Sequence, residues 1–411
     1  MCIRDRTQGA DMVEVMRALR TEAMVGHWEF TFGQDRLKEL IDKLGYPFLG
    51  GNVFDTEWDE PVFESTAFFE KGGVSIAVIG QHFPYTPIAN PSYMVKGWSF
   101  GIRPEVLQKN VNKAKKQGAE IVVLLSHNGF DVDQKLASMI DGIDVILTGH
   151  THDAIPKGIR IKDTLLLSSG SHGKYLGRID LKVKNGKVVD TSSNLIPVFS
   201  DIIPPDPDMT KLINKIRAPY QSESLVGSEM CIRDRYRRGN FNGSWDDVIC
   251  DTIIQERDTE ISLSPGFRWG TSILPGQMIT IDDIFSLTAM NYPEVYRIEM
   301  TGKMIKEILE DVCDNIFNPD PFFQQGGDMV RVGGLTYTCR PKNKMGNRIS
   351  NLRIISSDKS LESNKNYVVG GWGSVNQNVK GPPIYNLLEN YISEKKIIKN
   401  NNLEAVKIVG M

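Results

Sequence analysis

The sequence has no strong excess of charge of either sign and no long apolar run. Its 48 basic and 51 acidic residues give a net charge of −3, whereas a large sequence-independent nucleic-acid surface requires a basic excess. The apolar run Ile121–Leu125 is typical of the chain, and it falls far short of the roughly 18 residues that a membrane-spanning helix needs. We therefore expect no nucleic-acid partner and no membrane span.

Cysteine is also scarce, and two of the five cysteines lie in an unusual repeat. The hexapeptide Met-Cys-Ile-Arg-Asp-Arg occupies residues 1–6 and recurs at 230–235. A chance repeat of a six-residue word has odds on the order of one in a thousand here, and the flanks of the two copies do not match. We interpret residues 1–6 and 222–235 as translated sequencing-adapter scars and exclude them from fold reasoning. Two genuine surface loops are the alternative.

The three remaining cysteines are Cys250, Cys313 and Cys339. They do not form a paired framework, and none has the C-x-x-C spacing of a zinc or redox site. Cys313 follows Leu309 on an apolar helical stripe, so we expect a buried thiol at that position.

The length of 411 residues suggests two or three domains, and 40% hydrophobic residues suffice for a sizeable core. Helical periodicity predicts helices at 11–25 and 34–44. From Val74 to Asp190 the pattern changes to short apolar strands, predicted at 74–80, 121–126, 143–148 and 165–168. Helices separate the first three strands, and a hairpin over 175–190 follows, turning at Asn185-Gly186. This alternation predicts an α/β layer architecture.

A proline-rich segment at 196–207 is typical of a linker. We predict a first domain over 7–198, a linker over 199–235 and a second domain over 236–411. The second domain is expected to be α+β, with helices at 244–255, 303–316 and 384–392 and a strand at 335–339. Ser244, followed three residues later by Asp247, predicts a capping box at the first of these helices.

The candidate chemistry lies in the first domain, which contains all six histidines: His27, His82, His127, His150, His152 and His172. His127 ends one predicted strand, and His150 and His152 end the next, so adjacent parallel strands would bring these three imidazoles to one sheet edge. An H-x-H pair alone arises by chance in roughly one chain in eleven of this composition. Two histidine-bearing strand ends beside Gly turns nevertheless predict a metal site, with zinc, manganese or iron favoured. Neighbouring acids could hold the ring nitrogens: Asp131, Asp133 and Asp153.

Leu125-Ser-His-Asn-Gly129 and Gly149-His-Thr-His-Asp153 resemble the metal-binding motifs of the calcineurin-like metallophosphoesterases, in their 5′-nucleotidase branch. Gly302–Glu310 resembles part of that branch's C-terminal substrate domain. Within the branch, the chain resembles the SoxB-type thiosulfohydrolases of the Sox sulfur-oxidation system. That resemblance rests on residues 26–30, 80–91, 98–103, 236–245, 264–270, 318–321 and 325–334. It implies a partial metallophosphoesterase-like α/β sandwich followed by a 5′-nucleotidase-type α+β domain.

The resemblance implies two manganese ions, with His27, His127 and His150 serving one and His152 the other. Nucleotidases of the branch have Gly-Asn-His-Glu where this chain has Gly26-His-Trp-Glu29. By that alignment His27 replaces an asparagine ligand, and Trp28 replaces the histidine that assists phosphoryl transfer. An indole neither ligates a metal nor shuttles a proton at neutral pH, which disfavours nucleotide hydrolysis.

The resemblance also implies a reaction, a partner and a location. The metal pair activates water for attack on the terminal sulfonate of a thiosulfonate carried on a cysteine of the carrier protein SoxYZ in the periplasm, and sulfate leaves. Arg268 aligns with a substrate-facing arginine, and its guanidinium suits a sulfonate; a structural ion pair is the alternative. Trp269 and Arg331 are further candidate substrate residues, with packing in the core and a structural pair with Asp328 as their alternatives.

The family supplies an Asp-x-His ligand pair and a bridging carboxylate from strands that precede the first helix seen here. Because Thr7 follows the first scar directly, we expect an N-terminal stretch with an export signal to be absent. The chain as written should then bind at most one metal weakly, aggregate through exposed strand edges and be inactive. Two other functions stay open: a 5′-nucleotidase-like phosphoesterase and an inactive carrier-binding module.

Overall fold

The computed structural model describes residues 3–220, 236–237, 239–270, 272–375, 379–395, 398 and 405–410, with only the backbone of residue 5. Both Met1-Cys2 and the scar segment 222–235 lie outside the described residues. The chain divides into two compact units. One is Thr7–Ile216, and the other is Arg217–Met411 together with Met1–Arg6.

The described helices up to residue 217 are α1 (Ile3–Thr7), α2 (Ala10–Ala18), α3 (Gln34–Leu44), α4 (Thr86–Ala89), α5 (Pro104–Lys116), α6 (Phe130–Met139) and α7 (Pro207–Arg217). The strands of the first unit are β1 (Val53–Asp55), β2 (Thr66–Lys71), β3 (Val74–Gln81), β4 (Trp98–Phe100), β5 (Ile121–Ser126), β6 (Val145–Thr148), β7 (Ile159–Ile161), β8 (Thr164–Ser168), β9 (Tyr175–Lys184) and β10 (Lys187–Pro197). The predicted helix at 34–44 and the four predicted apolar strands are confirmed, with ends that move by at most two residues.

A six-stranded sheet in the order β2-β3-β5-β6-β8-β7 forms the centre of the first unit. The four inner strands are parallel, and the two edge strands are antiparallel. All five residues of β8 are buried, as expected for a parallel strand covered on both faces. Helix α5 packs on β3 and β5, and α6 packs on β6 and β8. The predicted α/β layer architecture is confirmed.

Strands β9 and β10 form a separate antiparallel hairpin. Asn185 and Gly186 make the turn with φ of 52° and 69°, the left-handed values that a two-residue type I′ turn requires. The predicted hairpin is confirmed, and β10 continues to Pro197, which places the first two residues of the proline-rich segment 196–207 in the strand.

The predicted helix over 11–25 is wrong in its length. Helix α2 ends at Ala18, and Arg20 has a left-handed φ of 56° that interrupts the helix. Met24 then pairs in a parallel bridge with Phe48. The apolar residues at helical spacing therefore extend beyond the actual end of the helix. Met24 lies outside the helix and packs against the core cluster that contains Phe48.

The helices of the second unit after residue 236 are α8 (Ser244–Arg257), α9 (Ile281–Leu287), α10 (Gly302–Phe317) and α11 (Ile384–Lys395). Its strands are β11 (Ile261–Ser264), β12 (Val295–Thr301), β13 (Arg331–Gly333), β14 (Leu335–Cys339), β15 (Ile349–Ile354), β16 (Lys359–Ser360), β17 (Asn366–Trp372) and β18 (Val406–Ile408). Two mixed four-stranded sheets result, in the orders β12-β17-β11-β13 and β16-β15-β14-β18. The α+β prediction is confirmed. Over the described part of the chain, every helix is too short or too polar to cross a bilayer.

The predicted capping box at Ser244 and Asp247 is wrong. Helix α8 begins at Ser244 itself, so Gly243 occupies the N-cap position and has no side chain to cap with. The Ser244 hydroxyl instead accepts a hydrogen bond from the Tyr236 backbone N–H at 3.1 Å. A true capping box opens α9, where the Thr280 hydroxyl and the Asp283 carboxylate each accept a backbone N–H of the other residue.

We predict that Leu136→Ala destabilises the first unit by about 2–5 kcal/mol, because it leaves a cavity between α6 and the sheet. Leu136 is 0% exposed. Met139→Ala is the matched control, because Met139 ends the same helix and is 48% exposed. Urea denaturation followed by circular dichroism measures both variants. Equal losses of stability would contradict this packing of α6.

Candidate metal centre

Three imidazoles of the first unit lie together. Among the described residues, one group offers ligand atoms that all lie within 4.8 Å of one another, namely His27, His127 and His150. Nε2 of His127 lies 3.0 Å from Nδ1 of His27. The His150 ring centroid is 5.0 Å from that of His27 and 5.5 Å from that of His127. We call these three residues the histidine trio.

Two members of the trio follow neighbouring parallel strands. Ser126, the last residue of β5, pairs with Thr148, the last residue of β6, so the chain leaves both strands at the same edge of the sheet. The backbone N–H of His127 donates to the Gln81 carbonyl at 2.9 Å, and that of Gly149 donates to the Ser126 carbonyl at 2.9 Å. A Cβ at Gly149 would lie 3.1 Å from Nδ1 of His127. Glycine therefore lets the two loops approach closely.

The third member, His27, comes from a distant segment just before the short 3-10 helix Trp28–Phe32. Its backbone N–H donates to a Glu29 carboxylate oxygen at 2.6 Å. The preceding N–H, of Gly26, donates to Nδ1 of His82 at 2.7 Å. A Cβ at Gly26 would lie 2.6 Å from the Phe48 ring, so this approach also requires glycine.

His82 is a positioning residue that the sequence did not assign. Its ring is buried among Phe30, Phe48 and Phe63, and burial lowers the pKa of His82 to about 3. Because Nδ1 accepts the Gly26 N–H, the neutral ring carries its proton on Nε2. In the sequence, His82 lies within the segment Gly80–Pro91, which supports the family resemblance as a whole but does not single out this histidine.

The carboxylate of Asp133 connects the two strand ends. It is buried on α6 and accepts hydrogen bonds from the Ser126 hydroxyl at 2.8 Å, from the Asn128 amide at 3.1 Å and from the Thr148 hydroxyl. Burial raises the pKa of Asp133 to about 6, and the three donors oppose that rise. The carboxylate is therefore ionised at neutral pH. We expected Asp133 to hold a ring nitrogen, whereas these hydrogen bonds hold the strands that precede the rings.

The trio has the chemistry that a metal ion requires. Burial, together with the neighbouring imidazoles of His150, His152 and His82, lowers the pKa of His127 well below its ordinary value. His127 is therefore neutral, which is the form that ligates metals. The Phe83 ring stacks on His150 with centroids 4.2 Å apart and limits the positions of that imidazole. Three imidazoles at this spacing fit a divalent transition metal.

The structure does not bring His152 into the trio. Its ring instead faces His172, with centroids 5.8 Å apart and planes at 79°. Both residues have left-handed backbones, with φ of 61° and 60°. The assignment of His152 to a second metal, which the family resemblance implies, remains a prediction.

The candidate substrate residues of the second unit belong to a network of ion pairs. Arg268 donates to both carboxylate oxygens of Asp328 at 2.8–3.0 Å. Asp328 also contacts Arg331 at 3.3 Å, and Arg331 contacts Asp246 at 3.2 Å. Asp246 pairs with the buried Arg237 at 2.7 Å. Three guanidinium groups thus share two carboxylates.

Burial separates the roles of these arginines. Arg331 is 2% exposed and also donates to the Gly239 carbonyl at 2.6 Å. These contacts fit the structural pair that we gave as its alternative, and its substrate role remains a prediction. The Arg268 side chain keeps 26% exposure. Arg268 forms an ion pair with Asp328, as in the structural alternative. Its substrate role remains a prediction. Trp269 stacks flat on Phe267 with centroids 4.1 Å apart.

Comparisons with known proteins agree with this architecture. The family model for the 5′-nucleotidase C-terminal domain matches residues 226–374. The solved structure of sulfate thiohydrolase SoxB from Thermus thermophilus is 33% identical in sequence and superimposes with a TM-score of 0.95, covering 100% of this chain and 77% of that one. A 5′-nucleotidase precursor from the same species superimposes with a TM-score of 0.86 at 18% identity, covering 100% of this chain and 88% of that one, which shows the shared fold.

Curated relatives match over shorter spans. The uncharacterised metallophosphoesterase YunD of Bacillus subtilis is 31% identical over 185 residues, which cover 44% of this chain and 39% of YunD. Human 5′-nucleotidase is 23% identical over 406 residues, which cover 85% of this chain and 66% of that protein. The chain thus spans less than two thirds of the length of these relatives.

The fold and the histidine site place the chain in the metallophosphoesterase class, in its 5′-nucleotidase branch; this is a family of hydrolases whose members use a dinuclear metal centre. Within that branch, the chain belongs to the SoxB family.

We predict that Asp133→Ala lowers the free energy of unfolding by about 3 kcal/mol, because it removes the acceptor of three buried donors. Urea denaturation measures the loss. Asp131→Ala is the matched control, because Asp131 is exposed on the same helix and should change stability by no more than about 0.5 kcal/mol. A neutral effect of Asp133→Ala would show that the strand ends do not depend on this carboxylate.

We predict that His150→Ala weakens Mn²⁺ or Zn²⁺ binding by more than roughly tenfold, the least that loss of an outer-shell partner alone costs. Isothermal titration calorimetry measures the affinity, and circular dichroism checks the fold. His172→Ala is the control, because His172 lies outside the trio and is exposed. An unchanged affinity in His150→Ala would exclude the trio as the binding site.

Proposed function

We propose that this protein is a metal-dependent thiosulfohydrolase that releases sulfate from a cysteine-bound thiosulfonate on a carrier protein. The observation that carries the proposal is the histidine trio with an indole beside it. The rings of Trp28 and His27 have centroids 5.2 Å apart. The site therefore combines metal-binding chemistry with a side chain that cannot exchange protons where the nucleotidases of the branch have a histidine.

The proposed reaction adds water across one sulfur–sulfur bond. Water oxygen bonds to the sulfonate sulfur, and the bond from that sulfur to the adjoining sulfane sulfur breaks. The sulfane sulfur keeps the electron pair and takes up a proton, so the carrier cysteine becomes a persulfide and sulfate leaves. Metal ions bound at this site would lower the pKa of water and stabilise charge on the entering and leaving groups.

The chain's own residues would hold and orient these partners. His27, His127 and His150 would hold one manganese ion, and His152 would contribute to a second. Gly26 and His82 fix the backbone before His27, while Asp133 fixes the strand ends before the other two histidines. The trio is thus held before any metal binds, which reduces the cost of ordering its ligands.

Trp28 separates this reaction from nucleotide hydrolysis. Hydrolysis of a phosphate ester expels an alkoxide, which is a poor leaving group and therefore gains from a proton donor in the transition state. A persulfide is a far more stable anion than an alkoxide, so its departure depends less on such a donor. An indole in place of the histidine is therefore compatible with sulfonate release and unfavourable for ester cleavage.

Arg268 is the candidate residue for binding the sulfonate. Asp328 holds its guanidinium through hydrogen bonds to both carboxylate oxygens, so the group is already oriented. Its planar fork suits an anionic sulfonate. Family membership supports the remaining parts of the proposal: SoxYZ as the carrier, manganese as the metal and the periplasm as the location.

A 5′-nucleotidase-like activity is the second candidate, favoured by the 85% of this chain that aligns with human 5′-nucleotidase. A carrier-binding module without turnover is the third. The three candidates differ in the product that each would release.

We expect the natural gene product, supplied with manganese, to release sulfate from thiosulfonated carrier and no phosphate from AMP. Ion chromatography measures both anions in the same reactions. Trp28→His is expected to gain measurable phosphate release, because it restores an imidazole beside the trio. Trp28→Phe is the matched control and should gain none.

Phosphate release from AMP by the unsubstituted protein would support the nucleotidase and overturn the proposal. Release of neither anion, with carrier binding retained, would support the module without turnover. Sulfate release from the chain as written would contradict the expectation that this form is inactive, while supporting the proposed reaction.

A further inference from the structure

Two buried thiols of the second unit face each other. Sγ of Cys313 lies 3.7 Å from Sγ of Cys339, and both residues are 0% exposed. Cys313 lies on α10, and Cys339 ends β14. The 26 residues between them conceal this proximity in the sequence.

The backbones that carry these thiols are fixed on both sides. Strand β14 is an inner strand, in which Cys339 pairs with Ile349 on one side and Ile408 on the other. A movement of Cys339 would therefore break two ladders of hydrogen bonds. The position of this thiol is set by the sheet.

Helix α10 is fastened to the same sheet by the acidic residues that flank Cys313. The Glu310 carboxylate accepts the backbone N–H groups of Gly346 and Ile349, each at 2.8 Å. Asp314 forms an ion pair with Arg348 at 2.5 Å. Because residues three and four apart share a helix face, Glu310, Cys313 and Asp314 all face this region. The polar contacts thus fix the register that places one thiol opposite the other.

We propose that Cys313 and Cys339 form a structural disulfide when the protein folds in an oxidising compartment. A bond requires the sulfur atoms to close to about 2 Å, and the packed fold already holds them 3.7 Å apart, so it can accommodate the bond after only a small further approach of the two sulfur atoms. All three described cysteines are free thiols in the structure, and Cys250 is buried elsewhere in the unit. This inference does not depend on the proposed function.

The oxidation is a thiol–disulfide exchange with a disulfide oxidant, either an oxidised dithiol protein or a small disulfide such as oxidised glutathione. One thiolate attacks the oxidant to form a mixed disulfide, and the second thiolate displaces the remaining oxidant thiol. The two cysteines lose two electrons and two protons in total, and the oxidant becomes two thiols. Because both side chains are buried in the fold, the exchange takes place before α10 packs on the sheet.

The test uses the chain with Cys2→Ser and Cys231→Ser, which removes the thiols outside the described residues. The protein is refolded in a glutathione redox buffer or in dithiothreitol, then denatured, alkylated with N-ethylmaleimide and analysed by mass spectrometry. We expect three labels after reducing refolding and one, on Cys250, after oxidising refolding. We also expect the linked form to melt roughly 5–15 °C higher, because the bond restricts the unfolded chain.

Cys313→Ala supplies the control. It leaves Cys250 and Cys339, both of which should be labelled in either buffer. Three labels on the parent chain after oxidising refolding would overturn the proposal, as would a linkage that involves Cys250. A linked form that melts below the reduced form would overturn the structural role of the bond.

Discussion

The buried carboxylate of Asp133 is the interaction on which the candidate site depends. Parallel strands end at one edge of a sheet, but their last residues are free to splay because no further ladder bond follows. Ser126 and Thr148 both donate to Asp133, so one ionised acceptor on α6 joins the two ends. The burial of a charge is costly unless it is hydrogen-bonded, and the three donors that offset this cost also fix the strands before His127 and His150.

The third histidine is fixed by a different means. His27 follows a segment outside the sheet, and its position depends on the hydrogen bond from Gly26 to the buried ring of His82. Aromatic rings surround His82 and keep it neutral, with Nδ1 available as an acceptor. The ring that shapes the site is thus an interior residue, whereas the three that could hold metal are only partly buried.

In the second unit, buried positive charges are likewise stabilised by polar partners. Arg237 and Arg331 are buried because Asp246 lies between them, and Asp328 links Arg331 to the more exposed Arg268. An arginine held on one side by a carboxylate loses little conformational entropy when an anion binds it. The proposed substrate role of Arg268 would use this oriented guanidinium.

Local pattern alone determined much of this protein: the strands β3, β5, β6 and β8, the hairpin at Asn185-Gly186 and two of the three clustered histidines. Periodicity and turn chemistry act over a few residues, and the parallel strand pattern already implies a shared edge. Only the tertiary structure decided that His82 supports His27, that Arg331 is internal and that Cys313 meets Cys339. These outcomes depend on packing between segments far apart in the chain. The spacing of residues within a short segment does not specify which distant segments that segment will contact.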